Sequence, residues 1–204
     1  MTTRLDLRLA LRRKLEDIGA TPLWDDVLLN EALWNSLVRF GARVPLEATV
    51  AVPISAGQVS IPVTPTLPRQ RVLRVIDATG ELVPEAAEFG PSGPGEARAW
   101  RWWNGSLLLT RPLGVAESWS VEYRATRTLP ADDVSAVPVQ PEDEPIVVAM
   151  AAEVVLRRRA IEEAKRHGAA RIWQEAAEAM MAEADSLIGD RRRHARSGVL
   201  AGAN

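Results

Sequence analysis

Paired acids, alternating tryptophan and arginine, and a terminal arginine run are the parts of this 204-residue chain that could do chemistry. An enzyme needs a nucleophile beside a base, a metal ligand set, or two carboxylates across a cleft. The chain has no cysteine, which removes thiolate nucleophiles, disulfides and cysteine-ligated metals together. Its two histidines, His167 and His194, fall near the C-terminus and do not compose a metal set. Asp25-Asp26 could be a carboxylate pair, but they directly precede a helical apolar stripe, and capping accounts for them better. Asp132-Asp133 and Glu142-Asp143-Glu144 could hold a cation; a solvated loop and a helix N-terminus explain them more simply. The segment Gly90-Pro91-Ser92-Gly93-Pro94-Gly95 lacks the Gly-Lys-Ser/Thr of a phosphate cradle. No catalytic residue, metal or cofactor is expected, and the chain reads as a non-enzyme.

Two features point to binding instead. Seven tryptophans stand against two phenylalanines and one tyrosine. On a strand, Trp100 and Trp102 share one face while Arg101 and Trp103 share the other. Either both faces are covered, or one is an open interface, since Trp and Arg are the usual anchors there. Basic and aromatic interleaving could also stack single-stranded nucleic acid. A net charge of −2 makes that the weaker option. The second feature is Arg191-Arg192-Arg193 with Arg196, followed by the small apolar segment holding Val199 and Leu200. It is either a solvated, frayed helix end or a tail that orders on a partner and is disordered when free.

The elements that must position these residues follow from periodicity. A first helix is expected over residues 4–17, capped by Thr3 with Asp6 as its capping-box partner. Leu5, Leu7, Leu9, Leu11 and Leu15 give it a broad apolar stripe, with Arg8, Arg12 and Arg13 off it, and Gly19 stops it. A second helix opens at Trp24-Asp25-Asp26 and carries Val27, Leu29, Leu33, Leu37 and Phe40, with Trp34 widening that face.

The period then switches to that of strands. Strands are expected at 49–52, 59–63, 72–76, 97–103, 106–110 and 118–124, the last with Trp119, Val121 and Tyr123 on one face. Asn104-Gly105 marks a type I′ hairpin. Pro53, Pro62 and Pro65 cannot donate ladder bonds, so the first strands are expected at edges. Residues 90–95 are expected as a flexible loop and 128–141 as a Pro-rich extended connector. A third helix covers about 142–166 and is apolar nearly all round from Ile146 to Leu156, while Arg157-Arg158-Arg159 begins its solvated half. A fourth spans about 169–189, with Ile172, Ala176, Met180 and Leu187 on a stripe and Trp173 beside it. No apolar run reaches the ~18 residues of a membrane span and no signal peptide is read, so a soluble protein is expected. The expected fold class is α+β: a four-helix bundle (1–45 and 142–189), an antiparallel β module inserted between its second and third helices (46–127), and a C-terminal tail (190–204).

In this order, the chain resembles the head–tail adaptor (connector) proteins of tailed double-stranded DNA phages and related gene-transfer particles. The likeness lies in the Leu/Arg-rich first helix, then Trp24-Asp25-Asp26 opening a second helix with Leu29, Asn30, Ala32 and Leu33. A β module with a Trp-rich hairpin, a strand ending near Tyr123, and Leu129-Pro130-Ala131-Asp132-Asp133 leading into an Ala/Val-rich helix complete it. The β insertion is similar to that of the longer adaptors of the tail tubular protein A type. The resemblance implies a ring of about twelve subunits beneath the capsid portal, in the neck of a virion. Its implied partners are the portal protein, neighbouring copies of itself, a downstream tail or stopper protein, and DNA passing through the lumen without sequence-specific binding; no membrane is implied. It also implies portal docking by the tail, at Arg191, Arg192, Arg193, Arg196, Val199 and Leu200, and suggests Trp100, Arg101, Trp102 and Trp103 for the subunit or tail interface. The alternative from another class is a nucleic-acid-binding accessory module that uses the Arg tail and the Trp/Arg strand.

Overall fold

A computed structural model describes residues 1–86, 98–166 and 168–200, with side chains as far as Arg192. The chain is α+β, with four helices and antiparallel sheets. It divides into two compact units. One joins residues 1–44 to 126–204 and the other is residues 45–125.

In the first unit, α1 (Arg4–Lys14), α2 (Asp26–Arg43), α3 (Glu144–Lys165) and α4 (Ala170–Leu200) share one apolar core. Thr3 caps α1 through the expected capping box with Asp6. The helix stops at Lys14, short of the expected Asp17, because Glu16 turns to positive φ (56°) and Asp17 N–H reaches back to Arg12 C=O at 2.9 Å. Only Leu7 and Leu11 of its stripe are fully buried; Leu5 and Leu9 face outward, and Arg8 is buried in their stead. Asp25 caps α2 by accepting the Leu28 N–H at 2.7 Å. Leu29, Leu33, Leu37 and Phe40 bury as the periodicity predicts, but Val27 and Trp34 are exposed, Trp34 by 53%.

The centre of this core is α3, on which α1, α2 and α4 all pack. Its run from Ile146 to Ala152 is buried on every side. Burying Ile146, Val147, Val148 and Met150 stabilises the fold by about 1.5–3 kcal/mol each, and a helix buried all round needs no amphipathic periodicity. On α4 the buried line is Ala177, Ala184 and Ile188, joined by Trp173, Met180 and Leu187. Met180 and Leu187 of the expected stripe thus pack on the core, Ala176 is half-buried beside fully buried Ala177, and Ile172 points outward. The expected stop at Gly189 is absent, and the helix runs on through the arginine run to Leu200. Gly189 has helical neighbours on both sides, and a single glycine costs a helix only about 1 kcal/mol.

Two antiparallel sheets build the second unit, where one module was expected. The strands are β1 (Leu46–Ile54), β2 (Ser60–Pro62), β3 (Val72–Ile76), β4 (Leu82–Val83), β5 (Trp100–Trp103), β6 (Ser106–Leu109) and β7 (Glu117–Ala125). One sheet runs β1-β7-β3-β4 and the other β2-β6-β5, so β1 and β2 are both edges. The turn at residues 55–58 therefore passes the chain from one sheet to the other. Asn104 (φ 44°) and Gly105 (φ 77°) close the β5–β6 hairpin in the expected mirror-image turn. Inward side chains of both sheets make one core, with Trp100, Leu107, Leu109, Trp119 and Val121 at its centre.

Residues 126–140 have no regular element, yet they are anchored. Val137 and Val139 enter the helical core, and Val137 N–H donates to Thr2 C=O at 2.8 Å. Thr64-Pro65 is a cis peptide. The expected loop at 90–95 and residue Ala97, placed at a strand start, lie outside the described residues.

Candidate functional site

The Trp100–Trp103 strand faces the core with Trp100 and Trp102. Trp100 is 2% exposed and its indole N–H donates to Val83 C=O at 2.8 Å. Trp102 is half-buried and donates to Leu67 C=O at 2.9 Å. Buried indoles with satisfied N–H groups are structural. Trp100, an interface candidate on the sequence, is therefore a core residue, whereas Trp102 stays half-buried. Trp103, on the other face with half-buried Arg101, is 62% exposed. Trp102 and Trp103 border a shallow cleft of about 430 Å³ with Leu67, Pro68 and Arg69. Arg69 lies 5.1 Å over the Trp100 ring and pairs with Glu85, whose carboxyl its hydrogen bond holds below the usual range.

The acidic clusters are also internal fixtures. Asp133 accepts Arg4 Nε at 2.7 Å and both terminal nitrogens of Arg8, at 3.1 and 2.7 Å. The Arg8 hydrogen bonds, then those of Arg4, hold its carboxyl below the usual range. Asp132 caps its own turn through Val134 N–H and Ser135 N–H. Asp143, expected in a solvated helix start, is 1% exposed. It accepts Arg191 Nε at 2.5 Å. Beside that pair is an open cavity of about 600 Å³ that also touches Gln140, Glu142, Ile146 and Leu187. Arg191, expected in a free docking tail, is thus tied to the start of α3. Arg192 is exposed, and the side chains of Arg193, Arg196, Val199 and Leu200, like His167 and His194, lie outside the described residues.

Nearby, Arg127 spans the connector. It donates to Val44 C=O at 3.2 Å and to Pro138 C=O, and sits 4.8 Å over Phe40. Burial pushes its guanidinium below the ordinary arginine value. The triple arginine on α3 is likewise engaged: Arg157 with Glu153, Arg158 with Glu31 and Glu162, Arg159 with Glu162 and Glu163.

Among the described residues, no group of three or more His, Asp or Glu side chains converges as a metal site would require. No described helix is long and apolar enough to cross a membrane. The exposed apolar groups include Val27, Trp34 and Val38 on one side of α2, and Trp103 on the hairpin. Val27 and Trp34, expected on the core face, lie with Val38 on a separate line of α2, and their 7- and 11-residue spacing off the Leu29/Leu33/Leu37 line is the sequence signal for it. No family model matches the chain, and no curated protein matches it in sequence.

Proposed function

We propose that this chain is a structural head-to-tail adaptor that assembles as a ring beneath a capsid portal and extends the DNA channel. In this reading the four helices are a bundle and residues 45–125 are a β module inserted between its second and third helices. The observation that carries it is this order. Residues 1–44 and 126–204 compose one unit, while the intervening residues make a separate compact unit. A heterologous ring needs two different sticky faces per subunit. Exposed Trp34 with Val27 and Val38, and exposed Trp103, supply apolar groups for such faces. The rival nucleic-acid module needs unneutralised cations to gather phosphates. Of the tail arginines that module would use, Arg191 is paired with buried Asp143 instead.

Negative-stain electron microscopy of the protein mixed with its portal tests the reading. The chain is used whole and truncated after Arg191, so that the Arg191–Asp143 pair is kept. A ring stacked on the portal supports the adaptor role, and its loss on truncation assigns docking to residues 192–204. With no ring from either form, and DNA binding that weakens steeply with salt, the nucleic-acid reading takes its place.

A further inference from the structure

Sheet edges present unpaired N–H and C=O groups, and proteins blunt them with short strands, proline, charge, bulges or a covering segment. Three of the four edges in the β unit are blunted in these ways. β4 has two residues. β2 has three and ends in Pro62. β5 has four, and the 84–86 segment bonds it at Trp100, through Trp100 N–H to Pro84 C=O and Ala86 N–H to Trp100 C=O. β1 differs: it has nine residues, pairs with β7 from Leu46↔Ala125 to Ile54↔Glu117 without a register shift, and has no strand on its other side among the described residues. Its protection is confined to Glu47 near one end and Pro53 near the other. Ala48-Thr49-Val50-Ala51-Val52 carries neither charge nor proline.

The registers fix which groups point outward. Asp77 N–H bonds Glu81 C=O, and Val75 pairs with Val83, so the odd residues of β3 face β4. Its even residues, Arg74 and Ile76, therefore face Glu122 and Ser120 of β7. The odd residues of β7 are left for β1, where they meet Ala48, Val50 and Val52. Glu47, Thr49 and Ala51 thus aim their N–H and C=O at the open edge. Pro53 shares that parity, and its missing N–H costs the native ladder nothing.

We propose that the β1 edge pairs antiparallel with β1 of a second copy, Thr49 opposite Thr49. This goes beyond the adaptor reading and does not rest on it. The strand is self-complementary in that register. Glu47 meets Ala51, so no like charges oppose each other, and every outward group of Glu47, Thr49 and Ala51 finds a mate. On the inner face Ala48 meets Val50 and Leu46 meets Val52. Leu46, Ala48 and Val50 are only half-buried in one copy, whereas Val52 and Ile54 are buried, so apolar surface is available there. Pro53 falls outside the overlap.

Sedimentation equilibrium of the full chain tests this, with Thr49→Pro and Ala51→Glu as edge-blocking variants, the second setting a carboxylate opposite Glu47 of the other copy. Both change outward-facing groups and spare the β1–β7 ladder, which far-UV circular dichroism checks. The expected result is a monomer–dimer equilibrium for the parent chain, weakened about tenfold or more by each variant. Because the chain has no cysteine, Thr49→Cys carries a single nitroxide; dipolar broadening that vanishes on mixing with unlabelled protein is expected. A parent chain that stays monomeric overturns the proposal. So does an oligomer without broadening at position 49, and if that oligomer is a ring the adaptor reading survives alone. A broadened dimer that never forms a ring with portal supports the edge pairing and sinks the adaptor reading.

Discussion

Glu153 offers the sharpest test of what holds the helices in register. Its side chain is 2% exposed, and its two oxygens take Arg39 Nη1 at 2.6 Å and Arg157 Nη2 at 2.7 Å. Arg39 comes from α2 and its other terminal nitrogen reaches the Met181 sulfur on α4 at 3.2 Å, so the carboxylate ties three helices. Breaking a buried pair from one side costs about 3–5 kcal/mol when the stranded charge has no other partner. In Arg39→Ala the Arg157 bond remains, and water enters where a 39%-exposed side chain stood, so about 2 kcal/mol is expected. Glu153→Met removes the buried charge at similar volume and leaves both arginines free to reach water. Its cost is expected within about 1 kcal/mol. Arg158→Ala breaks exposed pairs and is expected to cost under about 0.5 kcal/mol. Urea unfolding followed by far-UV circular dichroism reads the helices. At a slope of about 2 kcal/mol per molar, Arg39→Ala moves the midpoint down by about 1 M. If Glu153→Met unfolds as early as Arg39→Ala, the reasoning fails, because the pair itself would then be the stabilising term and the stranded carboxylate would not.

Three further outcomes are expected. Asp133 has its carboxyl lowered by Arg8 and Arg4, so its contribution is present above the unfolded value of about 3.9 and is lost as pH falls through the lower folded value; Asp133→Asn flattens this acid limb in thermal melts taken between about pH 2 and 6. Gly105→Ala puts a Cβ 2.9 Å from Thr66 Cγ2 at φ 77° and costs about 1–2 kcal/mol, whereas Asn104→Gly keeps the turn, as unfolding followed by tryptophan fluorescence will show. Thr3→Ala deletes the hydroxyl that caps α1 and costs about 1 kcal/mol, measured by urea midpoint.

Local rules read well from the chain. The Thr3/Asp6 box, the Asp25 cap, the Asn104-Gly105 turn and the all-round apolar stretch of α3 each depend on residues within a few positions. Failures came where the partner lies far along the chain. Asp133 and Asp143 look solvated beside other acids, yet their partners are Arg8 and Arg191, 125 and 48 positions away. Nothing local tells β1 to join β7 and β2 to join β6. Trp100 is a different case, because the signal was present. The two-residue turn sets Trp100 opposite Leu109 and Trp102 opposite Leu107, while Trp103 faces Ser106. The face shared with two leucines was therefore the buried one. On α4 the expected stripe holds at Met180 and Leu187 and fails at Ile172, because alanine-rich spacing supports neighbouring faces almost equally.

The split of the helical unit across the sequence sets an order on synthesis. Leu7, Leu29, Leu33 and Leu37 have their core partners on α3, and roughly 100 residues separate the end of α2 from its start. At 5–20 residues per second, the N-terminal helix pair leaves the ribosome about 5–20 s before those partners exist. The β unit lies wholly within that interval and needs nothing later to complete its own core. The first part of the chain to be made is thus among the last to be covered, and the leucines of α1 and α2 are the surface a nascent-chain chaperone would meet.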